Sequence, residues 1–158
     1  MNTFLPYADF KKSAECLDYK RCGKQRVEAF QILKIVTGER TTGGWINHPA
    51  VLMWMGYPDA LRLYLKCFIE EWVNRGYNNN MEILTIENEK EIEMPHWLGD
   101  DRLHASHRSN LLRKDPDYYK QFGWTEDSTL PYYWPSGKQI SASKLTILSS
   151  ENVYDVQK

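Results

Sequence analysis

At 158 residues, with 42% hydrophobic and 26% charged side chains, the chain has the size and composition of one globular domain, not of a disordered or fibrous protein. A formal net charge of -1 argues against a generic polycationic coat for nucleic acid. Three cysteines, Cys16, Cys22 and Cys67, form no CxxC pair and cannot all pair internally, which speaks against a disulfide framework or structural zinc and for a reducing compartment.

The opening "MNTFLPYADF" lacks the basic start and long apolar stretch of a secretion signal, and no apolar run approaches the roughly 18 residues of a membrane span, so the expected location is cytoplasmic. "FKKSAECLDYK" allows an early helical segment. Residues 9 to 26 set six Lys or Arg (Lys11, Lys12, Lys20, Arg21, Lys24, Arg26) against Asp9, Glu15 and Asp18, a local charge of +3. From Val27 the positions Ala29, Phe30, Ile32, Leu33 and Val36 have helical spacing and predict a core helix of about three turns stopped at Gly38. Gly23 marks either a break or a close approach.

"TTGGWINHP" reads as a loop, and Pro49 as the first residue of a short helix "PAVLMWM" ended by Gly56. "PDALRLYLKCFIEEWVNRG" is the clearest helix, with Leu61, Tyr64, Leu65, Phe68 and Trp72 on one stripe between Pro58 and Gly76. "MEILTIENEKEIEMP" is irregular and acidic. "GDDRLHASHRSNLLRK" predicts another helix, capped by Asp100 or Asp101 and stopped by Pro116, with Arg102, Arg108, Arg113 and Lys114 and no acid over residues 102 to 114. "LPYYWPSGKQ" is an aromatic loop that either stacks on a base or sugar or clamps the C-terminal segment onto the core, the clamp being favoured. The tally is mainly α, with one basic face and an acidic far side.

Three constellations carry chemistry. At helical spacing Arg21, Lys24 or Gln25, and Glu28 share a face, giving either a carboxylate among cations suited to an anionic substrate or a solvated helix start held by ordinary ion pairs. His104, His107, Arg108 and Leu111 fall on one helix side, where the imidazoles and Arg108 contact phosphate, pack beneath the aromatic tail, or sit partly buried with their hydrogen bonds satisfied. A metal-dependent hydrolase using His104, His107 and Asp101 is a weaker reading, because no HExxH-type carboxylate accompanies the pair. Trp45, Asn47 and His48 stand on a loop, with Asn47 or His48 also placed to cap the helix at Pro49.

"KRCGKQRVEAFQIL", "HPAVLMWMGYPDALRLYLKCFIEEWVNRGY" and "LHASHRSNLLRKDPDYYKQFGW", in that order, resemble the pyrimidine-dimer DNA glycosylase family, the phage endonuclease V type, and in particular its uncharacterised bacterial branch, over roughly residues 1 to 135. The resemblance implies a compact single-domain helical fold with long irregular loops over residues 1 to 135, and an extension over residues 136 to 158. It implies binding of duplex DNA carrying a damaged or modified base, base flipping, and glycosidic cleavage by an amine through an imine, with a first-helix carboxylate assisting and no metal or cofactor. The sequence itself gives no sign of a membrane or of an obligate protein partner. An α-amine suits such chemistry because its ordinary pKa of about 7.7 to 8.0 leaves a useful neutral fraction near neutrality.

By the same resemblance Arg26 falls at the family's first-helix arginine, with Arg21 or Lys24 as a second cation, and the "YY" and "FGW" stretch resembles an aromatic C-terminus near bound DNA. The family's carboxylate position falls at Cys22 or Gly23. Glu28, about one turn on, is then the nearest substitute, and Asp18 lies one turn before. Asn2 is larger than the residues that permit methionine removal, which leaves the amine on Met1, with Lys24 as the alternative. The expected site is thus Glu28, Met1 and Lys24 for chemistry, and Arg21, Arg26, Asn47, His48, His104, His107, Arg108, Arg113 and Lys114 for DNA. The rival reading is a non-catalytic DNA- or nucleotide-binding protein on the same fold.

Overall fold

The computed structural model describes residues 1–82, 85–86 and 88–138. Asp9 accepts a hydrogen bond from the Lys12 amide and starts α1 (Phe10–Cys16). Asp18 does the same for α2 (Tyr19–Val36) through the Arg21 amide. α3 (Pro49–Leu52) and α4 (Pro58–Asn74) both begin on a proline, whose fixed φ and missing N–H suit the first helical position. α5 (Asp101–Lys114) is capped by Asp100, and α6 (Pro116–Tyr119) follows directly. Short 3-10 turns lie at Glu89–Glu91 and Lys120–Phe122, and there is no strand among the described residues.

The clearest sequence prediction, the helix from Pro58, holds, and its stripe of Leu61, Tyr64, Leu65 and Phe68 is buried. α2 is longer than predicted, beginning at Tyr19 instead of Val27. Its first two turns have no aliphatic periodicity because the buried face there consists of Cys22, Gly23 and Gln25. Gly23 is a close approach and not a break: a Cβ at that position would lie 2.7 Å from the Trp72 ring of α4. α3 is shorter than expected; its chain passes through turns to Gly56, whose φ of +88° is a conformation only glycine adopts without strain. Pro116 does stop α5, and it also opens α6.

α2 and α4 pack on each other, α1 covers α4, and the centre is aromatic: Trp54, Tyr64, Phe68, Trp97 and Tyr119 are all buried. The segment 1–5 runs into this core. Thr3 Oγ1 accepts from the Trp54 indole at 2.9 Å, and the Leu5 amide donates to His107 Nδ1 at 2.8 Å. His104 Nδ1 lies 2.8 Å from the Leu5 carbonyl. The aromatic loop is fastened to α5: Ser106 and Ser109 hydroxyls accept from the Tyr133 and Leu130 amides, and Asn110 donates to the Leu130 carbonyl. Residues 139–158, most of the expected C-terminal extension, lie outside the described residues.

Candidate active site

The N-terminal segment, the first half of α2, the end of α5 and Tyr132 of the tail line an open cavity of about 480 Å³. Met1, Lys24 and Glu28, the three residues expected to carry chemistry, all line it. Its cations are Lys20, Arg21, Lys24 and Lys114. Arg21 leans on Asp18 at 3.2 Å, while Lys20 and Lys114 have no carboxylate partner among the described residues. Burial, helped by Arg21, Arg113 and Lys24, pulls Lys114 below the ordinary lysine pKa. A cation disfavoured in this way gains when an anion arrives.

Glu28 is the cavity's carboxylate. Its side chain is 13% exposed, one oxygen accepting from Gln25 Nε2 at 2.7 Å and the other 3.8 Å from Lys24 Nζ. Neither Cys22 nor Gly23 could supply a carboxylate here. Cys22 is fully buried, its thiol pushed up to about 11 by desolvation, and Gly23 abuts Trp72. A charge at either position would face α4, not the cavity.

His48 stands at the edge of this group. Its Nδ1 caps α3 by accepting from the Ala50 amide at 3.0 Å, and its ring sits between Trp45 and Trp134. Burial lowers its pKa, the α-amino group of Met1 lowers it further, and Glu28 opposes both. Asn47 is exposed on the same loop.

Of the remaining predicted DNA contacts, Arg113 stands close to Lys114 and Tyr132 of the cavity, and the others lie elsewhere. His104 and His107 are in the core, and both rings are occupied by Leu5; His104 Nε2 also accepts from the Gly99 amide at 3.0 Å. Burial drives His107 down to about 3, so it is a neutral tether, not a phosphate ligand. The metal reading of this pair fails for the same reason, since only His107 Nε2 is left without a partner, and it is buried. Arg108 pairs with Glu126 at 2.5 Å and donates to the Pro6 carbonyl at 2.8 Å; with 15% of its side chain exposed it is a structural brace. Arg113 donates to the Ser128 carbonyl and to Asn110, fastening the turn after α6. Arg26 lies away from the cavity, its guanidinium 4.4 Å from the Trp72 ring centre and bonded to Asn79 at 2.7 Å. Tyr119 of the "YY" stretch is buried, its hydroxyl bonded to Asp18 beneath the start of α2.

Sequence reasoning missed Lys20, Asn2 and Tyr132 as cavity residues and gave Gln25 no role of its own. Gln25 had a signal, one turn before Glu28. Asn2 had none, because only the tertiary fold brings residues 1–5 against α2. It is 5% exposed and lines the cavity beside Tyr132.

A comparison with protein families decides what this arrangement belongs to. The family model for pyrimidine dimer DNA glycosylases matches residues 1–85, which hold α1 to α4, Met1, Lys24 and Glu28. The chain belongs to the pyrimidine dimer DNA glycosylase family. No curated protein and no solved structure matches it. The glycosylase match ends before α5, so Lys114 and Tyr132 join the cavity from outside the matched residues. No described helix of this glycosylase relative is long and apolar enough to cross a membrane.

Proposed function

We propose that this protein is a DNA N-glycosylase and abasic-site lyase that cleaves the glycosidic bond of a flipped, damaged or modified nucleotide in duplex DNA. The observation that carries the reading is one cavity, about 480 Å³ and so roomy enough for a nucleotide, that gathers an amine, a carboxylate and four cations.

In this reading the Met1 α-amine, held by a fixed backbone segment, attacks C1′ of the deoxyribose. The C1′–N bond breaks, the base leaves with its electron pair and takes up a proton, and the amine loses its protons as the sugar ring opens to an imine. Glu28 handles these protons and then removes one from C2′, which expels the 3′ oxygen. Lys24 is the less apt nucleophile, because its side chain is 72% exposed on a flexible stem. Lys20, Arg21 and Lys114 hold flanking phosphates. His48, Asn47 and Trp45 stand beside the site, where they border the DNA.

The test is incision of duplexes carrying a cyclobutane pyrimidine dimer or an abasic site, comparing wild type with Glu28→Gln. The variant is expected to incise at least about 100-fold more slowly, the usual loss for a positioned acid–base group. Full activity in that variant contradicts the role. Wild-type protein that binds DNA with a steep salt dependence and cleaves no lesion points instead to the non-catalytic binder.

A further inference from the structure

Gln25 is 1% exposed and sits on α2 between the N-terminal segment, Tyr64 of α4 and Glu28. Its Oε1 accepts from the Phe4 amide at 2.6 Å and lies 2.7 Å from the Tyr64 hydroxyl, whose single proton is shared with the Phe4 carbonyl at 3.0 Å. Its Nε2 donates to the Asn2 carbonyl at 3.1 Å and to Glu28 Oε2 at 2.7 Å. A primary amide offers two acceptor lone pairs and two N–H donors, so every position is taken. Only one orientation satisfies them. Turned over, the amide would set NH2 against the Phe4 N–H and oxygen against the Asn2 carbonyl and the Glu28 carboxylate.

We infer that Gln25 is the positioning residue of the site, fixing the backbone that carries the amine and the Glu28 carboxylate in one register. Because it occupies Oε2 of Glu28, it leaves Oε1, on the Lys24 side, as the oxygen that works on the sugar. The inference rests on the amine and carboxylate chemistry proposed above. It goes beyond that chemistry in naming a nearly buried residue of the cavity wall whose polar atoms are all bonded within the protein and which yet sets the rate.

Two substitutions separate positioning from packing. Gln25→Leu keeps the bulk and removes all the polar contacts, whereas Gln25→Glu keeps the acceptors and sets a second carboxylate against Glu28. Single-turnover rates on an abasic-site duplex are measured against pH, with the dissociation constant of the same duplex and circular dichroism of each variant. Gln25→Leu is expected to cut the rate about 100-fold, the scale of misplacement by a fraction of an ångström to one ångström. Its dissociation constant should stay within about threefold of wild type, as befits a residue whose polar atoms are all bonded within the protein. In Gln25→Glu the facing carboxylates share a proton, so the acid limb of the rate profile should move up by about one pH unit or more. Tyr64→Phe, which loses only a hydroxyl, should slow the rate severalfold at unchanged affinity and serves if the Gln25 variants do not fold. Wild-type rates and an unshifted profile in the folded variants overturn the role of Gln25 while leaving the enzyme reading intact. A wild-type protein that acts on no duplex overturns both together.

Discussion

A carboxylate can act reliably as acid or base only where it is held still, and Glu28 is held by a side chain that is itself fixed at every polar atom. The two histidines of α5 show the same logic in a structural role. His107 accepts from the Leu5 amide through Nδ1 and His104 meets the Leu5 carbonyl, so each works only as the neutral ring. The cost appears in acid. The unfolded chain binds a proton at His107 near its ordinary pKa of 6.5, but burial pushes the folded ring down to about 3, so the native state binds fewer protons in between. Stability is therefore complete above about pH 6.5 and falls by about 1.4 kcal/mol per pH unit below it. His104, also lowered by burial, adds to the slope. Urea melts are expected to show a loss of about 2 kcal/mol from His107 alone between about pH 7 and pH 5. His107→Asn, whose side-chain oxygen replaces the Nδ1 acceptor without titrating, should flatten that loss; equal slopes would contradict the tether. Sequence spacing put these residues on one helix face correctly. It did not say whether that face met DNA or the protein's own N-terminus, because nothing local encodes a contact 102 residues away.

At the scale of elements, α4 was legible because its apolar stripe and flanking Pro58 and Gly76 agree, while the first half of α2 was not. A buried face made of Cys22, Gly23 and Gln25 leaves no periodic signal. Gly23 lets the two helices touch, and the ring it meets is pinned: the Trp72 indole donates to the Asn78 carbonyl at 2.8 Å, and its ring stacks with Tyr77 at 4.3 Å. Trp72 therefore has little freedom to swing aside. Gly23→Val should destabilise the fold by about 1–3 kcal/mol through overpacking. A thermal melt reads this directly, and an unchanged midpoint would show that α2 and α4 can separate without penalty. Because α2 carries both Gln25 and Glu28, the same variant should also disturb the site.

For the whole molecule, the expected basic face proves to be a local meeting of the start of α2 with the end of α5, not a surface built from all the basic residues. Lys20, Arg21, Lys24 and Lys114 converge, with Arg113 close to Lys114, whereas Arg26 and Arg108 brace the fold. Counting charges along the chain cannot separate those roles; burial and partners do. The family resemblance carried the fold, and the tertiary arrangement puts Glu28, not a residue at Cys22 or Gly23, in the cavity as its carboxylate. The measurement that bears most directly on this account is borohydride trapping on duplexes with a cyclobutane pyrimidine dimer, an abasic site or no lesion, with mass spectrometry of the adduct. A covalent adduct on the dimer and abasic duplexes, mapped to the peptide that begins with Met1, is the predicted result. No adduct on any duplex, from folded protein that still binds DNA, would contradict it.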